Sequence, residues 1–391
     1  VSGEGYFCNT TGGAFEVDLP AGSAGAIVAF KDYLGTWDTN ALTVDPNGSE
    51  KIGGGPAGET ASLSTENGSV TLVYVDSTRG WLVVNDATQG VAGETAQFVA
   101  ASGGTETTVC TNFKVHTFTG PGTFVISCAG NAKGSNLLDY LVIAGGGAGG
   151  ASSNGSVWGG AGGGAGGYRE SSGAASGCYS RSPLGACVSA LSASVTNIPV
   201  TVGVGGTGGP ANDPSSPTTN NGTSGSNSSF STIISAGGGY GGARSITAAP
   251  APDQITASKG ADGGSGGGSG FSNNYGHLGG SGNTPPVSPP QGNGGGQSGP
   301  ADAGSPTCVP GGGGGATGAG QTGPAPGNCV SSPSAGVGGA AATSSINGTP
   351  TARAGGGGGG GTNPGQAGAP ATGGGGAGGN QGGGAGVTGT A

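Results

Sequence analysis

The chain of 391 residues contains no methionine, two histidines and only 7% charged residues. Soluble globular domains usually carry about 25% charged residues. No run of 18 apolar residues occurs, so the sequence predicts no transmembrane helix and no membrane insertion. The two histidines, His116 and His277, are far apart in sequence. Without a nucleophile beside a base, the sequence predicts a protein that is not an enzyme.

Basic charge is scarce as well. Residues 1–143 hold 14 acidic and 5 basic side chains, whereas residues 144–391 hold five of each. Nucleic-acid binding needs a basic surface, so the sequence excludes a nucleic-acid partner. The acidic residues lack the spacing of a calcium loop, and the sequence therefore predicts no metal and no cofactor. We interpret four of them as turn and solvent-facing residues: Asp32, Asp38, Asp76 and Asp86.

Glycine, by contrast, is in large excess. The chain has 100 glycines, and 78 of them lie in residues 145–391. The transition is abrupt, because the apolar stretch 138–144 runs directly into the glycine run 145–150. Collagen is excluded, since glycine does not recur at every third position. A flexible linker is the alternative, but the apolar islands 198–202 and 230–234 favour ordered structure.

Residues 1–103 carry the signals of a small all-β module. Alternating or compact apolar stretches predict strands at 14–20, 26–30 and 42–44. A hairpin is predicted from 69–75 and 80–84 around the turn 76–79. No segment has helical periodicity, so we expect essentially no α-helix. Trp37 and Trp81 are interpreted as core residues, with sugar-binding platforms as the alternative.

Residues 104–144 are predicted to form a connector made of a β-hairpin and a strand. The stretches 113–118 and 123–127 flank the turn 119–122, which is the pattern of a hairpin. The stretch 138–144 supplies the following strand. His116 alternates with its strand neighbours, so we interpret it as structural or exposed.

The seven cysteines lack metal-ligand spacing and favour disulfides in an oxidising, extracellular setting. Cys110 and Cys128 lie at the two ends of the predicted hairpin. Cys8 is then left unpaired or linked to another chain, and the alternative for each cysteine is a small buried thiol. The candidate disulfides are three: Cys178 with Cys187, Cys308 with Cys329, and Cys110 with Cys128.

Residues 145–391 are predicted to form a bundle of polyglycine-II helices. A glycine run has no side chains to bury, so hydrophobic burial cannot order it. It can adopt an extended threefold helix that rises about 3.1 Å per residue without internal hydrogen bonds. Its N–H and C=O groups then need partners on neighbouring runs. The predicted fold class is therefore mainly β N-terminal modules followed by a glycine-rich polyglycine-II helix bundle.

The glycine-rich part resembles the glycine-rich domain of bacteriophage tail fibres and related surface proteins. The strings that carry the resemblance are LDYLVIAGGG at 138–147, GGGAGGYR at 162–169, VTVGVGG at 200–206, SNSSFSTI at 226–233 and GNTPPVSPPQGN at 282–293. The N-terminal module is similar to modules in structural proteins of marine and cyanobacterial phages, through GYFCNTT at 5–11 and VYVDSTRGW at 73–81. The resemblance covers nearly the whole chain and implies a virion tail-fibre or extracellular location.

The resemblance implies a tail fibre or adhesin whose loops contact a receptor on the host surface. The family usually closes with a hydrophobic strand after the last glycine run, and none follows Gly386. We therefore expect either a fragment or a closing strand from another subunit. A second hypothesis is a self-assembling subunit of an extracellular filament or cell-surface appendage, and self-association is expected. Ice binding is a third hypothesis, which would need a regular threonine or alanine face.

Side chains able to recognise a receptor are scarce after Gly145 and lie in the joints between glycine runs. Aromatic residues and arginine carry most of the contact energy in interfaces. The alternative is that some of them cap the bundle with the only apolar area available. The receptor-contact candidates are Tyr168, Arg169, Tyr179, Arg181, Tyr240, Arg244, Phe271, Tyr275 and His277.

Overall fold

The chain folds into two compact units in a computed structural model. The first unit comprises Val1–Phe98 with Gly130–Asn136, and the second comprises Val99–Ala129 with Leu137–Ala391. Most of the predicted connector therefore folds with the glycine-rich part. The structure describes residues 2–86, 96–152, 159–173, 179–185, 189–210, 220–243, 258–270, 277–299, 309–323, 334–361, 367–380 and 384–390.

The first unit builds two sheets from short strands. Their bounds are β1 Glu4–Cys8, β2 Phe15–Asp18, β3 Ile27–Asp32, β4 Leu42–Asp45, β5 Ala61–Leu63, β6 Ser69–Asp76 and β7 Gly80–Asp86. One sheet has the order β1-β3-β6-β7 and the other the order β2-β4-β5. β1 pairs with β3 and β2 pairs with β4 in parallel, whereas the remaining neighbours are antiparallel. The strand signals of the sequence predicted this all-β character.

The core of the first unit lies between these strands. Buried positions alternate along β3 and β6, as expected for strands with one buried face. Trp37 and Trp81 are 1% and 0% exposed, which confirms their interpretation as core residues. Burying an aliphatic or aromatic side chain fully stabilises a fold by about 1.5–3 kcal/mol. The other core members are Cys8, Leu19, Ala26, Val28, Phe30, Leu42, Val44, Ile52, Ala61, Leu63, Val70, Leu72 and Tyr74.

β6 and β7 form the hairpin that the sequence predicted. Asp76 ends β6, and its Oδ1 accepts the backbone N–H groups of Thr78 and Arg79 at 2.8 and 2.7 Å. Aspartate side chains stabilise turns in this way. Gly80 begins β7 with a φ of +68°, which glycine adopts without a steric penalty. Asp76 is thus a turn residue, as interpreted.

The strands of the second unit are short and are interspersed with the glycine runs. Their bounds are β8 Val99–Ser102, β9 Thr105–Val109, β10 Phe113–Thr117, β11 Gly122–Ala129, β12 Leu137–Leu138, β13 Leu141–Ile143, β14 Tyr168–Glu170, β15 Leu191–Ser192, β16 Thr196–Thr201, β17 Ser228–Phe230, β18 Ile233–Ser235, β19 Ala342–Ser344 and β20 Thr351–Arg353. The largest sheet has the order β18-β17-β16-β11-β8. The described residues are mainly β, with a short 3-10 helix at Pro183–Gly185 and no complete α-helix, as the sequence predicted.

The hairpin predicted around the turn 119–122 is wrong. β10 pairs with β9 instead, and β11 lies between β8 and β16 in the five-stranded sheet. The physical reason is burial, because Phe124 and Ile126 on β11 are 7% and 2% exposed. The ring of Phe124 also packs edge-on against Phe230 of β17, with 5.7 Å between the ring centroids. This long-range burial outweighs the local turn signal.

The cysteine pairing also differs from the prediction. Cys110 is disulfide-bonded, whereas Cys128 and Cys8 are free thiols. The predicted Cys110–Cys128 pair is therefore wrong. Cys110 lies in the turn between β9 and β10, and Cys128 lies on β11 in another sheet. The other candidates fall outside the described residues: Cys178, Cys187, Cys308 and Cys329.

The glycine runs of the second unit bond through their backbones with a period of three. Run 145–152 donates its N–H groups in turn to three different segments, at N···O distances of 2.8–3.1 Å. Every third residue therefore donates to the same segment, and successive peptide groups point in three directions about the axis of the run. The donor–acceptor pairs are Gly145 to Ser226, Ala148 to Thr223 and Ala151 to Asn220; Gly146 to Thr390, Gly149 to Val387 and Ser152 to Gly384; Gly147 to Gly164 and Gly150 to Ala161.

The carbonyl groups of run 145–152 follow the same period. Residues 145–150 accept N–H groups from three further segments, contributed by Gly238 and Gly241, by Gly206 and Gly209, and by Gly376 and Gly379. The run therefore has six hydrogen-bonded neighbours: 220–226, 384–390, 161–164, 238–241, 206–209 and 376–379. Runs 159–167 and 310–316 each bond to six segments in the same manner.

The close approach of these runs explains their composition. A Cβ added at Gly147 or Gly163 would overlap the carbonyl oxygen of a neighbouring run. Positive φ angles, which glycine adopts readily, are rare among the described glycines after Gly145. They occur at Gly173, Gly348, Gly373 and Gly374. The interior of the second unit is therefore backbone packed on backbone, held by N–H···O=C bonds.

Candidate functional site

The receptor-contact candidates do not form one site. Tyr168 and Arg169 lie where run 159–167 continues into β14, and Tyr179 and Arg181 follow shortly after. His277 lies near the opposite end, because it bonds to Ser269, next to Gly268, and Gly268 donates to Gly162. Gly162 precedes Tyr168 by six residues of extended chain, roughly 20 Å. Three candidates fall outside the described residues: Arg244, Phe271 and Tyr275.

A buried carboxylate organises the end that carries β14. Glu170 is 1% exposed, and its Oε2 accepts hydrogen bonds from the Tyr168 hydroxyl at 3.1 Å and the Ser182 N–H at 2.9 Å. The Ser182 hydroxyl donates to the same oxygen. Tyr168 and Glu170 share the inward face of β14, because side chains alternate along a strand. These bonds hold the segment 179–185 against β14.

Tyr168 belongs to this structural cluster. It is 1% exposed, so a receptor cannot reach it, and the prediction of a receptor contact is wrong for this residue. Tyr168 packs instead in a buried cluster with Ala165, Ala316 and Ala342. Burial, followed by the charge of Glu170, raises the pKa of Tyr168 well above its usual range. Burial also raises the pKa of Tyr179 to about 12. Both hydroxyls therefore remain protonated at neutral pH.

The other candidates at this end remain accessible to some degree. Arg181 is exposed, and Arg169 and Tyr179 are half-buried, as is Tyr240 farther along the unit. Arg169 Nη1 donates to the Ile234 carbonyl at 3.4 Å, and Arg181 Nη1 donates to a backbone carbonyl of its own loop. Within the described part of the chain, neither arginine forms an ion pair. This end of the unit therefore presents two cations without an ion-pair partner among the described residues.

His277 is the second candidate that the structure corrects. It is 2% exposed, its N–H donates to the Ser298 hydroxyl at 3.3 Å, and its carbonyl accepts the Ser269 hydroxyl at 2.7 Å. Burial lowers the pKa of His277, and Nε2 has no hydrogen-bond partner in the described structure. His277 is therefore a neutral structural residue, and the predicted receptor contact is wrong.

The structure adds an ordered loop at the β14 end that sequence reasoning did not place among the candidates. We call residues 283–291 the proline loop. Asn283 Oδ1 accepts the N–H groups of Val287 at 3.0 Å and Gln291 at 3.2 Å, so one side chain closes the loop. The residues that the loop exposes are Thr284, Pro285, Pro286, Ser288 and Pro290.

Gln291 attaches the proline loop to the body of the unit. It is 1% exposed, and its Nε2 donates to the Pro285 carbonyl at 2.8 Å. Its Oε1 accepts the Ala236 N–H, and its carbonyl accepts the Tyr168 N–H, both at 2.8 Å. The loop therefore lies beside β14 and its arginine. The string containing Asn283 and Gln291 carried part of the family resemblance, but their bonding across eight residues has no local sequence signature.

A group of three carboxylates lies on the first unit. Oxygens of Glu16, Asp18 and Asp45 are within 4.8 Å of one another, because β2 and β4 pair in parallel with Asp18 opposite Asp45. Carboxylate oxygens are ligands that calcium prefers. The group is largely exposed, however, and we assign no ion to it. The sequence could not indicate it, because a parallel register joins residues that are far apart in the chain.

Among the described residues, no helix is long and apolar enough to cross a membrane.

Comparisons with known proteins bear on the second unit. No curated protein matches the chain. The family described as a glycine-rich domain matches residues 117–391, which is more than half of the chain and includes every glycine run of the second unit. The chain therefore belongs to the glycine-rich domain family.

Proposed function

We propose that this protein is a non-enzymatic tail fibre or adhesin, in which a polyglycine-II bundle presents loops to a receptor on a host surface. The bundle is the first part of the proposal. A helix of the polyproline-II type has three residues per turn and no internal hydrogen bonds. The period of three along run 145–152, with six bonded neighbours, is what such helices require when they pack side by side.

The second part concerns what the bundle does. The observation that carries this part of the proposal is a weakly charged bundle with ordered loops at one end. The proline loop is held by Asn283 and Gln291, and Arg169 and Arg181 lie at the same end. Binding residues concentrate on loops positioned by a rigid scaffold. A loop already fixed in one conformation loses little conformational entropy when it binds. The host-facing surface is therefore the β14 end, and the location is virion or extracellular.

Adsorption of the labelled protein to a panel of bacterial strains, read by flow cytometry, tests this function. We expect the variant Arg181→Ala, and a variant in which 284–290 is replaced by a glycine–serine segment of equal length, to bind at least tenfold more weakly. Lys259→Ala is the control, because it removes an exposed cation near the opposite end, where Lys259 pairs with Asp262 at 3.8 Å. Undiminished adsorption by both loop variants would refute the adhesin function.

A self-assembling subunit of an extracellular filament is the second candidate. The observation that favours it is an open backbone groove at one edge of the bundle.

A further inference from the structure

Two of the six neighbours of run 145–152 lie on the same side of it, at one edge of the second unit. They are 203–209 and 384–390, and they are bonded to each other. Gly146 and Gly149 of run 145–152 donate their N–H groups to 384–390 and accept N–H groups from 203–209, at 2.8–3.1 Å. Run 384–390 therefore supplies acceptors and run 203–209 supplies donors, and both bond to residues of run 145–152 that are three positions apart.

The outer side of the same two runs repeats this arrangement one residue earlier, and no described segment occupies it. The N–H groups of Gly205 and Gly208 and the carbonyls of Gly386 and Gly389 have no hydrogen-bond partner within the described residues. Because the peptide groups turn by a third of a revolution per residue, both sets point into the outer groove between the two runs. We call this feature the edge groove.

The edge groove is accessible. Of the four residues that carry the free groups, Gly205, Gly208 and Gly386 are half-exposed and Gly389 is buried, and the rim residues Ala385 and Thr388 are exposed. Unpaired backbone groups along the edge of a hydrogen-bonded array are a template for another chain. The missing occupant needs two residues, three apart in an extended run, whose N–H and C=O groups are both free.

Run 318–323 meets this requirement at the other edge of the unit. Ala319 and Thr322 are exposed and three residues apart, and neither their N–H nor their C=O groups are bonded within the described residues. The run contains three glycines, which permit close approach. Hydrogen bonds connect the two edges through a line of runs: 203–209, 145–152, 159–167, 310–316 and 318–323.

We propose that the edge groove binds run 318–323 of a second copy of this chain. Ala319 and Thr322 of one copy donate to the free carbonyls of the groove and accept from its free N–H groups. The glycine-rich part, which carries both contacting surfaces, is electrically neutral, with five residues of each sign in 144–391, so this part of one copy does not repel the same part of another. The inference rests on the proposed polyglycine-II bundle, and it identifies a second copy of this chain as the partner of that bundle.

The groove and the run are different surfaces, so the contact is heterologous. Heterologous contacts that do not close into a ring add copies head to tail. The expected product is a linear assembly in which neighbouring bundles continue one hydrogen-bonded array.

Complementation between two blocked variants tests the proposal. Thr388→Glu places a charge at the rim of the groove, and Thr322→Glu places one on the run. Thr349→Glu is the control, because Thr349 is also exposed but lies in the turn between β19 and β20. Sedimentation velocity over a concentration series measures the mass of each protein. We expect association of the wild type and of the control, and association at least tenfold weaker for each blocked variant alone.

An equimolar mixture of the two blocked variants is the decisive sample. One intact groove and one intact run remain, so a dimer and nothing larger should form. A monomeric wild type, a monomeric mixture, or a control that dissociates like the blocked variants would overturn the proposal. If a glutamate variant fails to fold, Ala385→Glu and Ala319→Glu serve as the second pair.

Amide hydrogen exchange separates failure of this docking from failure of the bundle. Protection of the amides of 145–152 in a protein that stays monomeric would refute the docking and leave the bundle intact. Rapid exchange throughout 145–152 would refute the bundle itself.

Discussion

The backbone N–H of Gly357 lies 2.9 Å from the carbonyl oxygen of Gly163, in the interior of the second unit. The packing on the other side of Gly357 leaves no room for a side chain, because a Cβ at Gly357 would overlap the carbonyl oxygen of Gly376. Gly294 of the same unit differs. A Cβ at that position would lie 3.4 Å from its nearest neighbour, the Gly280 carbonyl oxygen, which is an ordinary contact.

Gly357→Val should therefore destabilise the second unit, and Gly357→Ala should do so to a smaller extent. Forcing atoms into a packed interior costs about 1–3 kcal/mol, occasionally more. Gly294→Ala is the matched control, and it should be neutral or stabilising by up to about 1 kcal/mol, since alanine restricts the unfolded chain. Differential scanning calorimetry measures the melting temperatures. A Gly357→Val protein that melts with the wild type would mean that this run is not packed against others.

Asp32 is predicted to stabilise the first unit. It is 3% exposed and therefore not solvent-facing as the sequence suggested, and its two oxygens accept four backbone N–H groups at 3.0–3.2 Å, from Gly35, Thr36, Trp37 and Asn67. Hydrogen bonds to a charged group contribute about 1.5–3 kcal/mol. Asp32→Asn should lower the free energy of unfolding by about that amount at pH 7. Tryptophan fluorescence during urea unfolding reports it, because Trp37 and Trp81 lie in this core.

The effect of Asp32 should depend on pH. Burial raises the pKa of Asp32, but the four N–H groups together outweigh burial and lower it below its ordinary value. A carboxylate with a lowered folded pKa stabilises the fold above its unfolded pKa of about 3.9. That stabilisation is lost as the pH falls through the folded pKa. The difference between wild type and Asp32→Asn should therefore shrink on acidification, and an equal difference at pH 7 and pH 2 would contradict it.

His277 should make the second unit less stable in mild acid. Burial lowers the pKa of His277 in the folded chain, while the unfolded value is about 6.5. Below the unfolded pKa the unfolded chain binds a proton that the folded chain does not, so stability falls as the pH decreases. His277→Gln should flatten the dependence of melting temperature on pH between about 7 and 5. Equal slopes for His277→Gln and wild type would refute the expectation.

Glu170→Ala should loosen the loop that follows β14. The substitution leaves the Ser182 N–H and the Tyr168 hydroxyl without their acceptor, at a cost of about 1–3 kcal/mol for each unsatisfied buried group. Arg181 is exposed one residue before Ser182, so trypsin cleavage after Arg181 should accelerate. Glu170→Gln retains an acceptor oxygen and should show a smaller acceleration. Identical cleavage rates in all three proteins would exclude Glu170 as the anchor of this loop.

Several features follow from local sequence alone. Alternating apolar residues indicate the strands of the first unit, and Asp76 with Gly80 specifies the β6–β7 turn, because both signals act within a few residues. The burial of Trp37 and Trp81 follows from their size and apolar surroundings. The glycine strings also identify the family. A buried glycine run needs backbone partners for its N–H and C=O groups, because it has no side chains to bury.

Tertiary structure decided the partners. Phe124 packs against Phe230, more than 100 residues away, and this contact sets the sheet position of β11 against the local hairpin signal. Burial also removed Tyr168 and His277 from the surface, although their residue types favour recognition. The same holds for the runs. The sequence requires hydrogen-bond partners for the backbone of Gly147, but it does not say which ones, because many glycines offer identical backbone groups. Only the packing of all the runs together places Gly164 and Gly376 beside Gly147.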